Sequence, residues 1–304
     1  MCYLTGGKYM NDYVIFTDAS ADVEESFVKE HDIRFVPMHY TLGKEDRISN
    51  GPEEIGVLKR FYDGQRKGDR TQTSQIAPQI YIDNFEPELR EGRDVIYLSL
   101  SSGITKTFDS VQIAKAAMEE KYPESHIYPV DTLGAAGSMG IMVERAVQNR
   151  EAGMDVGENV ADLKARSHEC IILLMVDDLM YLKRGGRLPA STAVIGTVLN
   201  VKPIMFLAPD GSLLPFAKKR GEKTALKEIL RLYLATRNDK FSNRVYISHA
   251  DCEERVQKLS DMIHEEDPTV DIVPVMMSPV IGAHTGPGMI SICYFGDKDH
   301  MLEK

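Results

Sequence analysis

Apolar residues along this chain come in short runs separated by polar, capping-prone clusters, and in the first half these runs alternate with amphipathic stretches. Residues 13–17 (Tyr-Val-Ile-Phe-Thr) form one run, which ends in Asp18-Ala-Ser-Ala-Asp22 and an amphipathic stretch toward His31. Residues 33–38 read as the next strand. A helix is expected from Asn50-Gly-Pro-Glu-Glu54, with Asn as cap, Pro in the first turn and acids at the positive end of the dipole. Residues 94–98 and 126–131 read as strands, 107–121 and 134–150 as helices. Such alternation predicts a parallel sheet covered by helices.

The pattern then changes. After a helix over 155–169, capped by Asp155, strands are expected over 171–176, 201–207, 213–217, 244–248, 271–277 and 289–295, with helices only over 222–237 and 251–266. Pro209-Asp-Gly-Ser212 reads as a hairpin turn. The expectation is an α/β protein of two domains: an N-terminal parallel-sheet α/β domain over 1–165, and a C-terminal α+β domain with a largely antiparallel sheet over 166–304.

Composition narrows the function. The 304 residues are 43% hydrophobic and 27% charged, which excludes a disordered or fibrous chain. A net charge of −10 opposes non-specific attraction to nucleic acid or anionic membrane, so no nucleic-acid partner and at most transient membrane contact are expected. The longest apolar run, 170–176, is one strand long, and the start has no secretory pattern; Met10 is the better structural start. Cys2, Cys170, Cys252 and Cys293 show no paired spacing, which fits a reducing cytoplasm.

In parallel α/β sheets ligands gather beyond the carboxyl ends of strands, and three polar clusters fall there: Asp18–Asp22, Ser99-Leu-Ser-Ser-Gly-Ile-Thr105, and Asp131-Thr132. Thr71-Gln-Thr-Ser-Gln75 precedes another expected helix. Each cluster also reads as helix capping, but hydroxyls and backbone N–H groups hold a carboxylate or phosphate equally well. Neither G-x-x-x-x-G-K-[ST] nor a strand-linked G-x-G-x-x-G is present, so no nucleotide cradle is expected. Ala136-Gly-Ser-Met-Gly140 lacks the first glycine of a nucleophile elbow, and no histidine spacing suggests zinc; neither metal nor cofactor is expected. Tyr181-Leu-Lys-Arg-Gly-Gly-Arg-Leu188 and Lys218-Lys-Arg-Gly-Glu-Lys223 concentrate positive charge in an acidic chain. Gly282-Ala-His-Thr-Gly-Pro-Gly288 fixes one imidazole in what reads as a tight turn.

Taken in order, these motifs resemble the DegV family, bacterial lipid-binding proteins that include the fatty-acid-binding B subunits of fatty acid kinase. Asp18-Ala-Ser-Ala-Asp22 resembles its D-S-x-x-D, Thr73-Ser-Gln75 its T-S-Q, Ser99 to Thr105 its S-L-S-S-G-x-S-G-T, and Val130-Asp-Thr132 its V-D-S. Leu182-Lys-Arg-Gly-Gly-Arg187, Val201-Lys-Pro-Ile204, Lys218-Lys-Arg220 and Gly282 to Gly288 continue the resemblance to about residue 295. Ala19, Ile76 and Lys106 depart from the pattern.

The resemblance implies one long-chain fatty acid held in an apolar tunnel, with no cofactor besides that ligand, and a separate ATP-binding kinase subunit that phosphorylates its carboxylate. Thr73, Ser74, Ser101, Ser102 and His284 would then hold the carboxylate, while Arg187 and Arg220 would face the kinase. The chain itself would be a lipid-binding subunit and not a catalyst. About fourteen buried methylenes at ~0.8 kcal/mol each would supply about 11 kcal/mol before association costs. The alternative is an enzyme acting directly on a small anionic metabolite through Asp18, Asp131 and His284.

Overall fold

The computed structural model describes residues 13–188, 200–240 and 242–302; Cys2 and the expected start at Met10 lie outside them. Strand β1 (Tyr13–Asp18) is buried along its whole length, as a central parallel strand must be, and α1 (Glu25–Glu30) returns the chain to β2 (Ile33–Val36) beside it. The strand expected over 33–38 is cut at Pro37, which has no N–H to give to a ladder. Beyond it β3 (Met38–Leu42) turns through Gly43, at φ +62°, into β4 (Glu45–Ser49), an antiparallel pair in a different sheet.

Helix α2 (Ile55–Arg66) starts just after the Asn50-Gly-Pro signal, with Glu54 at its cap. Three-residue β5 (Thr71–Thr73) completes the small sheet in the order β4-β3-β5. Then α3 (Pro78–Arg90), β6 (Asp94–Ser99), α4 (Thr107–Lys121) and β7 (Ile127–Asp131) finish a four-stranded sheet, order β2-β1-β6-β7, parallel throughout. Helix α5 (Gly137–Glu151) is buried on nearly every side and packs on strands of both large sheets. At Gly140 the backbone carbonyl of Asp22 comes so close that any Cβ would clash with it. Helix α6 (Val156–Ser167) opens with the expected cap. Asp155 accepts from the Glu158 N–H at 2.8 Å, and Glu158 accepts from the Asp155 N–H at 3.1 Å.

The rest of the described chain forms one six-stranded sheet with its helices: β8 (Cys170–Met175), α7 (Leu179–Arg184), β9 (Val201–Leu207), β10 (Leu213–Arg220), α8 (Glu222–Thr236), β11 (Arg244–His249), α9 (Glu253–Glu266), β12 (Asp271–Met276), α10 (Pro279–Thr285) and β13 (Ile290–Phe295). Strand order is β10-β9-β8-β13-β11-β12. Pairing is antiparallel except between β11 and β12, where α9 supplies the crossover that a parallel pair needs. The Pro209–Ser212 turn is a hairpin, closed by the Ala208 N–H on the Ser212 carbonyl at 2.9 Å. The segment from Gly282 to Gly288 is not a turn throughout: its first four residues end α10, and the chain bends only at Gly286, φ +76°.

Candidate functional site

A cavity of about 560 Å³ opens where the loops beyond β6 and β7 meet β8, β9, β10 and the ends of α7 and α10, within the usual size of a small-molecule site. Its apolar walls include Leu100, Ile172, Leu174, Leu207, Leu213 and Met289. Thr73, Ser74, Gln75, Ser102, Thr105, Lys106, Arg187 and His284 supply polar lining, and among the described residues no aspartate or glutamate lines the cavity.

His284 stands in the last turn of α10 and reaches across to β5, with Nε2 2.7 Å from Thr73 Oγ1. Its Nδ1 is buried, has no hydrogen-bond partner among the described residues, and faces Gly185, where any Cβ would run into it. The paired glycines after α7 therefore do permit a close approach, to this imidazole. Burial, and then the nearby Arg187 charge, push the His284 pKa down to about 4, so the ring is neutral near pH 7.

Arg187 was expected to face a kinase together with Arg220, but the two are placed apart. Arg187 lines the cavity, partly buried, and its Nε donates to the Ile104 carbonyl at 3.1 Å while Nη1 donates to Gly185. Burial lowers its pKa, and no carboxylate among the described residues pairs with it. Arg220 is exposed at the end of β10, opposite Val201 and outside the lining.

The serine pair divides in the same way. Ser102 lines the cavity, its hydroxyl without a hydrogen-bond partner among the described residues and its loop held by the Ser102 N–H on Asp131 at 3.3 Å. Ser101 is buried behind it, donating Oγ to the Gly211 carbonyl at 2.8 Å. Gly103 and Gly211 touch backbone to backbone there, a contact between distant loops that neither motif announced. Ser74 also lines the cavity, its hydroxyl free of partners among the described residues and its N–H on the His39 carbonyl at 3.2 Å.

Asp18 and Asp131 are committed elsewhere. The Asp18 carboxylate is buried, which raises its pKa, and accepts from the Ser20 N–H at 2.9 Å, the Tyr97 hydroxyl at 2.7 Å and the Leu100 N–H at 3.3 Å, tying the end of β1 to that of β6. Asp131 also accepts from the Leu133 N–H at 3.0 Å, and neither acid lines the cavity. Ser138 spends its hydroxyl inside its own turn, donating to the Ala135 carbonyl at 2.7 Å. Ala19 and Ile76 are core residues under the parallel sheet. Among the described residues, no group of three metal-ligating side chains occurs and no helix is long and apolar enough to cross a membrane.

A sequence model of the DegV family of uncharacterised proteins matches residues 12–297. The chain belongs to the DegV family. A DegV domain-containing protein of Clostridium perfringens is 33% identical over 288 residues, covering 95% of this chain and 99% of its own length. A Thermotoga maritima structure described as revealing fatty-acid binding superposes with a TM-score of 0.78 at 26% identity, over 93% of this chain and 98% of that one. The Streptococcus pneumoniae fatty acid kinase B3 protein, loaded with linoleic acid, has the same fold: TM-score 0.79, 18% identity, 93% and 99% coverage. The pairing of a parallel sheet with a largely antiparallel one is thus the DegV architecture, and within it the cavity described above is lined by Arg187 and by hydroxyls that have no partner among the described residues, on walls that are otherwise mostly apolar.

Proposed function

We propose that this DegV chain holds one long-chain fatty acid in the cavity and presents its carboxylate to a separate ATP-dependent kinase subunit. The observation that carries the reading is Arg187: a partly buried guanidinium with no counter-ion among the described residues, on a cavity whose other walls are mostly apolar. Such a charge is costly unless a ligand supplies the anion. An aliphatic tail fits the leucine and isoleucine walls, and the free hydroxyls of Ser74 and Ser102, with Thr73 beside neutral His284, supply donors to the head. In this reading residues up to 165 contribute the hydroxyl loops, and residues from 166 the tunnel walls and basic loops. Ser101 acts by holding its loop and not by touching the ligand. The fatty-acid binding described for the Thermotoga protein supports the same assignment, as does the linoleic acid with which the Streptococcus protein is loaded.

In the presented step a carboxylate oxygen attacks the γ-phosphorus of ATP on the kinase subunit, the bond to the bridging oxygen breaks, and ADP leaves with acyl phosphate formed. Arg220, exposed outside the cavity, belongs to the kinase-facing surface in this reading. A cytoplasmic setting accords with the free thiols of Cys170, Cys252 and Cys293. The enzyme alternative is less well served, since Asp18 and Asp131 point their carboxylates at backbone and Tyr97 donors and not at the cavity. Denaturing mass spectrometry of an organic extract of freshly purified protein tests the reading: it should yield one fatty-acid equivalent per chain. A polar metabolite, or no stoichiometric acyl species, would overturn it.

A further inference from the structure

Three consecutive residues of α10 are each bonded by a side chain from the side of α2 and β5. Gln65 Nε2 donates to the Gly282 carbonyl at 3.0 Å, Thr71 Oγ1 donates to the Ala283 carbonyl at 3.0 Å, and Thr73 Oγ1 meets His284 Nε2 at 2.7 Å. The first two bonds are joined, since Gln65 Nε2 also donates to Thr71 Oγ1 at 3.0 Å. Thr71 serves where the helix cannot serve itself. A helical continuation would bond the Ala283 carbonyl to the N–H four residues on, and that residue is Pro287, which has none. On the other flank the Tyr181 hydroxyl of α7 donates to the Gln65 carbonyl at 3.3 Å, and Gly185, just past α7, backs the imidazole.

Neither Gln65 nor Thr71 lines the cavity, and Gln65 is only 2% exposed. Their bonds act on the backbone of α10, one and two residues before the imidazole. A slip of about 1 Å between β5 and α10 would carry Thr73 and His284 out of hydrogen-bond range. We propose that Gln65 and Thr71 are positioning residues for the head-group site: they lock the register of α10 against β5, and so hold His284 against Thr73 without touching the ligand. The inference rests on the fatty-acid reading above for its effect on binding, but not for its effect on the imidazole.

Gln65→Met and Thr71→Val keep the bulk of each side chain and remove its donors, and the test follows both His284 and palmitate in the full-length protein. Burial, and then the Arg187 charge, hold the His284 pKa at about 4 in the wild type. In each variant an NMR titration should find it raised toward the ordinary value near 6.5, as the ring loosens and water reaches it, while Thr71→Ser, which keeps the hydroxyl, should leave it in place. Palmitate affinity should fall about three- to tenfold in Gln65→Met and in Thr71→Val, and should fall no further when either change is added to Thr73→Ala, because the effect runs through that pair. A His284 titration unmoved in both variants, or a full further loss of affinity in the Thr73→Ala background, would overturn the proposal. So would a loss of urea stability that moves neither the titration nor the affinity. Failure of palmitate to bind the folded wild type would overturn the fatty-acid reading instead, and the His284 titration would still decide the positioning.

Discussion

Replacing Arg187 with glutamine separates a ligand-binding charge from a structural one. In the structure the guanidinium makes two hydrogen bonds, to the carbonyls of Ile104 and Gly185, and has no carboxylate partner among the described residues. Without ligand, removing it costs those two charge-assisted bonds, about 1.5–3 kcal/mol each, and relieves the burial of an unpaired charge, a cost of several kcal/mol. The net change in stability of the lipid-free protein should therefore lie within about 1 kcal/mol of zero. With ligand the balance differs: a charge-assisted bond to the head group is lost, at about 1.5–3 kcal/mol, which converts to roughly ten- to a hundredfold weaker palmitate binding. Lysine at this position should recover only part of the loss, because an ammonium cannot span both carbonyls and also reach the ligand. Palmitate titration and urea unfolding of lipid-free protein on the same preparations give both numbers. Palmitate affinity within twofold of wild type would refute the head-group role. An affinity loss matched by an equal loss of unfolding free energy would show that Arg187 only braces the loops.

Thr73→Ala and Ser102→Ala should each weaken palmitate binding roughly tenfold, Thr73→Ala also by freeing the His284 ring it now bonds at 2.7 Å; unchanged affinity in both folded variants would remove them from the site. Asp22 is buried, and that burial pushes its pKa up to about 7 against hydrogen bonds from Ser278 and Ser248. A carboxyl whose folded pKa is raised binds its proton more tightly folded than unfolded, so its stabilising contribution is full below its ordinary value near 4 and is lost as pH rises toward about 7. Asp22→Asn keeps the acceptor for the Ser278 N–H, 3.0 Å away, and should gain on the wild type between pH 5 and about pH 7 in urea unfolding and level off above; a constant difference across pH 5 to 7 would contradict the assignment.

Much of the fold was legible because its signals are local. Apolar runs flanked by capping residues marked the strands of both large sheets, the Asp155–Glu158 box opened α6 as its spacing required, and Pro-Asp-Gly-Ser turned a hairpin closed by bonds to the adjoining Ala208. The small sheet was not legible, since β5 is three residues long and β4 is mostly exposed and charged, which left the alternation of β3, from Met38 to Leu42, without a visible partner strand. Seven-residue α10 hid behind its glycines, because so few turns give the periodicity too short a window. The parallel β11–β12 pair follows from where α9 passes, which no strand pattern encodes.

For the site the division is sharper. The motif order singled out Thr73, Ser74, Ser102 and His284, which the fold does bring to one cavity wall. It could not distinguish Ser101 from Ser102, adjacent and chemically identical, because what sends one hydroxyl inward is the Gly211 carbonyl 110 residues further along the chain. Nor could it tell Arg187 from Arg220: both sit in basic clusters, but only the loop after α7 folds back against Ile104. Residue type and spacing fix which groups are available for chemistry. Which of them meet a ligand depends on burial and on partners remote in sequence, and those are decided only when the two sheets come together.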